Sequence, residues 1–452
     1  MRLRKIITTI VATAILLAGW QLFAVIANQP ELIPSLPRLV RTLCEWLVSG
    51  SFYQSVGATI LRGILGMSIS FVCAIGMAGL FARFEWVYEL FRPLLAIMRS
   101  IPVISFILLA LIFLNPESIP LMIAFLTMFP LLTENLTRGI LDLRPGLSIM
   151  ARQFHIKRSN VLFQIIYPQL KPFLYSGLAS AAGFGWRAII MGEVLSQCAF
   201  GIGSEMKRAQ NFIAVPELLA WTIVAVFISF FFDKGISKVT DITPKISFAN
   251  EDQTIPTPTL SVLDTKDISY QYGIQHFSHS FQKGIIYGIS APSGKGKTTL
   301  LNLIGGILLP TEGEIHPTRH FGIATIFQQP QLLPYLTAEE NIILPLSSFL
   351  TEEKARRIAQ KHLQEMEMEP FGNRYPKELS YGQQQRIAIA RALAYPSPLL
   401  LMDEPFKGLD EALSHRIIER IREKQMKEER IILFTSHNPD EIRLLADEVI
   451  YL

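Results

Sequence analysis

The sequence predicts an α-helical polytopic membrane domain of about six spans, followed by an α/β domain built around a phosphate-binding loop. Half of the 452 residues are hydrophobic, only 18% are charged, and the mean hydropathy is +0.33. Such a chain is too apolar for an ordinary soluble enzyme. The stretch APSGKGKTTLL at residues 291–301 is typical of a nucleotide site. Apolar runs are concentrated before residue 235 and charges after it, which predicts two domains.

The predicted boundary lies in the polar, proline-punctuated stretch DKGISKVTDITPKISFANEDQTIPTPTL, which has no helical periodicity. We therefore expect a membrane domain over residues 1–235, a linker over 236–258 and a second domain over 259–452. The three cysteines are scattered, without disulfide or metal-site spacing. The net charge of +4 and the lack of a basic block with aromatic residues predict no nucleic-acid partner.

Six apolar stretches are candidate spans, because a membrane helix needs about 20 apolar residues. They cover residues 6–27, 58–82, 95–114, 120–132, 172–191 and 215–232. With the N-terminus inside, the outer loops hold only four Lys and Arg residues, and the inner segments hold most of the others. This bias predicts a multi-pass protein of the inner (cytoplasmic) membrane with its second domain in the cytoplasm. A cleaved signal peptide is the alternative for the first stretch, but its apolar run exceeds the usual 7–15 residues.

The loop between the fourth and fifth stretches reads RGILDLRPGLSIMARQFHIKRSNVLFQIIYPQLKP. Its apolar residues recur at helical spacing, with basic residues between them, which predicts short amphipathic helices at the membrane face. Those apolar residues are Leu147, Met150, Ala151, Phe154, Val161 and Ile165. A helix lying on the lipid surface is the simpler alternative.

This loop resembles the coupling loop of binding-protein-dependent ABC importer permeases at Ala151, Ile165 and Pro168, whereas His155 replaces the glycine of that pattern. The stretches MRSIPVISFILLALIFL, FPLLTENLTRGI and GEVLSQCAFGIG resemble the sulfonate, nitrate and taurine branch of those permeases. The resemblance implies a small-molecule substrate of that kind or a thiamine-precursor-like solute. It also implies surrounding membrane lipid and an extracytoplasmic solute-binding protein.

The stretch GIIYGISAPSGKGKTTLLNLIGG has an apolar run, a glycine-rich turn and a helical pattern. The N–H groups of such a turn and the positive end of its helix bind phosphate. Lys297 is long enough to reach the β- and γ-phosphates, and Thr298 can offer a hydroxyl to Mg²⁺. The predicted ATP-binding residues are Ala291, Pro292, Ser293, Gly294, Lys295, Gly296, Lys297, Thr298 and Thr299.

Ala291 departs from the strict motif G-x-x-x-x-G-K-[ST], which has glycine at that position. If the position needs positive φ, alanine costs about 1 kcal/mol, although it still supplies its N–H.

The stretch SPLLLMDEP predicts a buried strand that ends in Asp403 and Glu404. There one carboxylate can hold Mg²⁺ and its neighbour can polarise water. ELSYGQQQRIAIARAL precedes this strand, and IILFTSHNPDE follows it and carries His437. In this order the segments resemble the ATP-binding cassette (ABC) ATPases over residues 259–452, so the second domain is predicted to be an α/β P-loop NTPase of the ABC type.

The resemblance implies a role for each matching residue. It implies that adenine stacks on Tyr272, with Tyr270 as the alternative stacking residue, and that Gln328 senses Mg²⁺. It implies Thr298, Gln328 and Asp403 at the metal, and Glu404, His437 and Gln328 in catalysis, with Glu404 as general base and His437 as the γ-phosphate switch.

A further set is implied to act across a dimer of two cassettes. The signature-like segment Leu379, Ser380, Gly382 and Gln383 is implied to bind the nucleotide of the partner subunit, and Asp410 to act between subunits. Tyr381 replaces the first glycine of that signature.

Taken together, the two halves predict ATP-driven import of a small solute, with ATP and Mg²⁺ as cofactors. One membrane domain and one cassette per chain require a second copy of the chain, or a close paralogue. An exporter half-transporter is one alternative. An ATP-binding membrane sensor or scaffold that does not hydrolyse ATP is another, because Ala291 and Tyr381 alter phosphate-contacting segments. A kinase fused to a membrane anchor would need neither the signature-like segment nor His437.

Overall fold

The computed structural model describes residues 2–240, 244–253, 260–271, 273–292, 294–317 and 322–452. The chain forms two compact units. The first comprises Met1–Leu143 and Gln169–Ile242, and the second comprises Arg144–Pro168 and Thr243–Leu452. The predicted order, a helical domain followed by an α/β domain, is confirmed. The predicted site residues Tyr272 and Ser293 lie outside the described residues.

Helices dominate the chain up to residue 240. They are α1 Arg2–Ala27, α2 Leu36–Trp46, α3 Gly50–Arg83, α4 Glu85–Ser100, α5 Val103–Phe113, α6 Ile119–Leu141, α7 Pro145–Gln153, α8 Arg158–Asn160, α9 Tyr167–Ser196, α10 Ile202–Asn211 and α11 Val215–Thr240. A π-helical turn, Val161–Ile166, joins α8 to α9.

Among the described residues, four helical stretches are long and apolar enough to cross a membrane. They are Gly50–Arg83, Pro116–Leu141, Arg158–Ser196 and Val215–Lys238, and the pair α4 and α5 makes a fifth if counted as one span. Two of the six predicted spans are not among these four stretches. The first, residues 6–27, lies within α1, in which Val11–Ala27 is a shorter apolar helix, and the third is bent by 94°.

The bend in the third predicted span follows from Pro102. Proline lacks an N–H group and disfavours the helical conformation of the residue before it. Ile101 accordingly adopts an extended conformation, with φ −70° and ψ 130°, and α4 ends there. An apolar run of 20 residues therefore does not form one continuous helix at this place.

Small residues allow close packing inside the first unit. A Cβ atom added at Gly66 of α3 would lie 2.7 Å from the Cβ of Ala124 on α6, so the two helices approach closely, as is common between membrane helices. The fully buried Glu193 accepts hydrogen bonds from Thr59 at 2.9 Å and from Arg62 at 2.7 Å. The buried charge is thus paired, as buried charges require.

The loop of residues 144–168 packs with the second unit, although the predicted boundaries group it with the membrane domain. Its apolar side chains do not lie on a lipid surface, because they are buried in one core with side chains of the α/β domain. These are Leu147, Met150, Ala151, Phe154, Ile156 and Ile165. The amphipathic pattern was correct, and the partner of its apolar face is protein.

The α/β domain contains eight strands and six helices among the described residues. The strands are β1 Val262–Tyr270, β2 Ile274–Gln282, β3 Ile286–Ser290, β4 Glu312–His316, β5 Ala324–Ile326, β6 Leu399–Asp403, β7 Ile431–Thr435 and β8 Glu448–Tyr451. The helices are α12 Lys297–Gly305, α13 Ala338–Leu346, α14 Glu352–Glu365, α15 Tyr381–Ala394, α16 Glu411–Glu428 and α17 Pro439–Leu445.

Two sheets organise these strands. An antiparallel sheet has the order β2-β1-β4, and a parallel sheet has the order β5-β6-β7-β3-β8. Strands β6 and β7 are buried throughout, which matches their unbroken apolar sequences. Since parallel strands end at one edge of a sheet, the residues that follow β3, β6 and β7 meet there.

Candidate nucleotide site

The glycine-rich turn lies between β3 and α12. Its described glycines have positive φ, 82° at Gly294 and 91° at Gly296, whereas Ala291 does not. The cost considered for alanine at that position therefore does not arise. Gly296 is required by space as well, because an added Cβ would lie 2.6 Å from the carbonyl oxygen of Gly273.

Helix α12 begins at Lys297, directly after the turn. Its first N–H groups have no acceptor within the helix, so they and the helix dipole favour an anion at this end. The buried Lys297 side chain donates to the carbonyl of Ala291 at 2.7 Å. The ammonium group of Lys297 is therefore held at the turn, near the N–H groups at the start of α12, where phosphate groups can be bound. Pro292, Lys295 and Thr299 lie in the same turn and the start of α12.

Asp403 is held at the end of β6 by two hydroxyl groups. Thr298 donates to its Oδ2 at 2.9 Å, and Thr435, its neighbour in register on β7, donates to its Oδ1 at 2.7 Å. Burial raises the pKa of Asp403, and these two hydrogen bonds act in the opposite direction. A carboxylate beside a threonine hydroxyl is a set of hard oxygen donors that fits Mg²⁺.

Glu404 follows directly, with φ 46°, and its N–H donates to the hydroxyl of Thr435 at 3.0 Å. Its two carboxylate oxygens have different partners: Oε2 accepts from Lys407 at 3.0 Å, and Oε1 lies 3.0 Å from Nε2 of His437. Burial opposes ionisation of this carboxyl, but hydrogen bonds from Lys407 and Gln328, together with electrostatic attraction to Lys407, leave its pKa below the usual value. The carboxylate is thus ionised and oriented, as a general base must be.

Gln328 lies between the loop of residues 144–168 and the two residues predicted to hold Mg²⁺, Thr298 and Asp403. It lines a cavity of about 270 Å³ with Thr298 and Asp403, and Gly146 lines the same cavity. A Cβ added at Gly146 would meet the side chain of Gln331 at 2.5 Å. The segment that carries Gln328 is therefore in direct contact with the predicted coupling loop.

The signature-like segment forms the start of α15. Ser380 and Gln383 make a reciprocal capping box, in which each side chain accepts from the backbone N–H of the other residue. Asp410 is the N-cap of α16, and its side chain accepts from the N–H of Leu413 at 2.9 Å. Gly382 packs against the carbonyl of Gly408. Ser380, Gly382, Gln383 and Asp410, which are predicted to act across a dimer, thus lie at two helix starts, and Leu379 directly precedes the first of them.

Three residues at the site were missed by the sequence analysis. Thr435 binds Asp403 and Glu404, and its position at the end of an apolar strand beside β6 was the available signal. Lys407 binds Glu404 and could be suspected only from its spacing of three residues. The buried Arg391 of α15 donates to the carbonyls of Pro330 and Gln331, which no local pattern indicates.

The predicted coupling loop is bound to the cassette at two further places. Gln153 donates to the carbonyl of Gly305, the last residue of α12, at 2.7 Å. Asn160 donates to the carbonyl of Ser247, in the predicted linker, and to the hydroxyl of Ser347. The loop therefore contacts the far end of the helix that begins in the phosphate-binding turn.

Comparison with known families gives two matches. Residues 274–407 match the family model described as ABC transporter, and residues 54–233 match that of the binding-protein-dependent transport system inner membrane component. The two models match the α/β domain and the helical domain, respectively.

Curated relatives match the cassette. An uncharacterized ABC transporter ATP-binding protein of Methanocaldococcus jannaschii is 34% identical over 201 residues, covering 40% of this chain and 85% of the relative. A Fe(3+) ions import ATP-binding protein of Rhizobium etli is 35% identical, covering 40% and 54%. A glucose import ATP-binding protein of Saccharolobus solfataricus is 35% identical, covering 38% and 52%. The chain spans about half the length of these two import proteins.

Among solved structures, a dimeric ATP-binding cassette in a post-hydrolysis state with ADP and Pi is 32% identical. The match covers 42% of this chain and 94% of that one, with a TM-score of 0.40.

Proposed function

Because the chain is a membrane protein of the ATP-binding cassette transporter family, whose cassettes are ATPases coupled to transport, we propose that it imports a small solute using ATP. The observation that carries this proposal is the burial of the loop of residues 144–168 in the core of the cassette. A motor that only bound nucleotide would not need to bury a loop from a permease-type sequence. We retain residues 1–235, 236–258 and 259–452 as the proposed permease domain, linker and cassette.

The proposed chemistry follows from the geometry of the site. The backbone N–H groups of residues 291 and 293–299, together with the side chain of Lys297, would bind the phosphate chain, and Thr298, Asp403 and Gln328 would hold Mg²⁺. That ion supplies neutralisation of developing charge on the phosphates. Glu404, ionised and oriented by Lys407 and Gln328, accepts a proton from the attacking water. His437, whose Nε2 lies 3.0 Å from Glu404, is proposed to contact the γ-phosphate, and Tyr272 or Tyr270 is proposed to stack on adenine.

A complete site is proposed to need two cassettes. Ser380, Gly382 and Gln383 lie at the start of α15, whose first N–H groups favour an anion. We propose that this end binds the nucleotide held by a second copy of the chain, and that Asp410 acts across the same interface. ATP-driven closure would then displace the segment of Gln328 against the coupling loop, which is where Gln331 meets Gly146.

Import is proposed to depend on an extracytoplasmic solute-binding protein, since the permease family is binding-protein-dependent. The surplus of Lys and Arg in the inner segments supports an inner-membrane protein with its cassette in the cytoplasm. The stretches that resemble the sulfonate, nitrate and taurine branch support a small anionic solute. The solutes in the names of the cassette relatives do not bear on this point, because those relatives match only the ATPase half.

The first test is ATP hydrolysis by the full chain in lipid nanodiscs. Wild type is compared with Glu404→Gln and with Glu423→Gln, an exposed glutamate on α16 that serves as the matched control. We expect Mg²⁺-dependent turnover that Glu404→Gln lowers at least a hundredfold and Glu423→Gln leaves unchanged. Binding of ATP without turnover in any variant would instead support a sensor or scaffold.

The direction of transport is tested separately in proteoliposomes containing the full chain with outward-facing cassettes. Import in the cell corresponds to efflux from such vesicles, and it requires a binding protein inside them. ATP-driven accumulation of solute without any binding protein would instead support an exporter.

A further inference from the structure

Tyr381 makes two contacts within its own cassette. The hydroxyl donates to the main-chain carbonyl of Gln328 at 2.8 Å. The ring lies against Gly408, where an added Cβ would be only 2.8 Å from Cδ1 and 3.2 Å from Cε1. Gly408 also has φ +78°, a conformation that L side chains rarely adopt. Tyr381, which replaces a glycine of the signature, thus packs against a loop position, Gly408, that is itself a glycine.

Helix α15 contacts the segment of Gln328 at two places along its length. Tyr381 is the first residue of α15 and binds Gln328, and Arg391, ten residues later, binds the carbonyls of Pro330 and Gln331. Arg391 is almost fully buried, so its two hydrogen bonds are costly to break. Two attachments on one rigid helix mean that a movement of α15 is transmitted to this segment.

We propose that Tyr381 is a positioning residue, which ties the signature-like start of α15 to the segment of Gln328 and to the loop of Gly408 in the same cassette. This inference rests on the proposed function. Because the ring covers Gly408 and the hydroxyl is bound to Gln328, the side chain is directed toward its own chain. The N–H groups of Tyr381 and Gly382, which the capping box does not use, then remain available to a second nucleotide, and the loop between Glu404 and Asp410 moves with them.

The contact with Gln328 is tested by Tyr381→Phe, which removes one hydroxyl and keeps the ring. Steady-state ATP hydrolysis by the full chain in nanodiscs is expected to show kcat lowered about threefold to tenfold, the range for one hydrogen bond, with KM for ATP unchanged. Tyr335→Phe, at another half-exposed tyrosine, is the matched control and should leave both constants unchanged. An unchanged kcat for Tyr381→Phe would contradict the proposal.

The contact with Gly408 is tested by a double-mutant cycle, which separates a clash from backbone strain. Gly408→Ala alone is expected to lower kcat at least thirtyfold, because the new methyl group meets the tyrosine ring. In the background Tyr381→Gly the same change should cost only about fivefold, the strain of positive φ. Equal losses in the two backgrounds would overturn the inference.

Failure of the inference and failure of the proposed function give different results. If the wild type shows no hydrolysis that depends on Glu404, the proposed function is wrong and the inference falls with it. If hydrolysis depends on Glu404 but the cycle is additive, only the inference is wrong. Size-exclusion profiles and binding of a fluorescent ATP analogue establish that each variant is folded.

Discussion

The two sides of the nucleotide site depart from the family pattern with different consequences. On the phosphate-loop side, residues 291–299 with Asp403, alanine replaces glycine at a position without positive φ. The backbone conformation there does not require glycine, so the replacement needs no compensating change. On the signature side, residues 379–383 with 406–410, Tyr381 replaces glycine and occupies space that only Gly408 leaves open. The effect of a departure from a motif therefore depends on the backbone dihedral angles at that position and on the residues that pack against it.

The largest effect on nucleotide binding is expected in the glycine-rich turn of the phosphate-loop side. Gly296→Ala would combine φ +91° with a Cβ 2.6 Å from the carbonyl of Gly273. We expect a loss of about 3 kcal/mol, roughly a hundredfold in affinity for ATP. Ala291→Gly, the change toward the strict motif, should alter affinity less than twofold. Fluorescent-nucleotide titration measures both, and a large gain from Ala291→Gly would contradict our account of that position.

The second effect concerns the hydroxyl that joins the two carboxylates. Thr435→Val keeps the shape of a buried side chain and removes its bonds to Asp403 and to the N–H of Glu404. Leaving buried polar groups unpaired costs about 1–3 kcal/mol, so we expect kcat to fall about tenfold to a hundredfold. Thr435→Ser restores the hydroxyl and should recover most of the activity. A fully active Thr435→Val would show that Asp403 and Glu404 are held by other groups.

The third effect tests whether the phosphate-loop side also receives the coupling loop. Gln153→Ala removes the bond to Gly305 at the end of α12. Loss of this buried contact should lower the number of solute molecules moved per ATP about fivefold, with hydrolysis nearly unchanged, since about 1 kcal/mol of contact energy is lost. Arg158→Ala, at an exposed neighbour, is the control. Equal losses of hydrolysis and transport would assign Gln153 to the stability of the cassette.

The smallest effect joins the two sides. Lys407 belongs to the signature side but binds Glu404 at 3.0 Å, and exposed ion pairs are weak. Lys407→Met should therefore lower kcat only about twofold to threefold, with Lys407→Arg close to wild type. The measurement is kcat at saturating ATP. A loss as large as that of Thr435→Val would place Lys407 among the residues that the reaction requires.

The elements that sequence could predict are those whose evidence is contiguous in the chain. The glycine-rich turn followed by Lys297, and the buried strand ending in Asp403 and Glu404, carry their own local signals. The bend at Pro102 could also have been predicted, because proline interrupts helices. The apolar run on both sides of this proline was instead interpreted as one continuous span.

Other features depend on residues far apart in the chain. Phe154 stacks edge-on against Tyr395, and Gln331 meets Gly146, so the partner of the amphipathic loop could not be inferred from its own periodicity. Tyr381 and Gly408 are also separated in the chain, by β6 among other residues, and their pairing depends on a positive φ and a ring orientation that no motif states. Burial against a distant segment is a property of the whole fold.

The hydrogen bonds of Asn160 have a consequence for how an assembly is built. The side chain of this residue binds Ser247, in the predicted linker, as well as Ser347, so the predicted coupling loop is attached beside the segment that leads into the α/β domain. Because both domains belong to one chain, an encounter between them is intramolecular, and its effective concentration does not depend on expression level. Under the proposed function each chain supplies one permease domain and one cassette, so translation fixes their ratio and an exchange of subunits replaces both together.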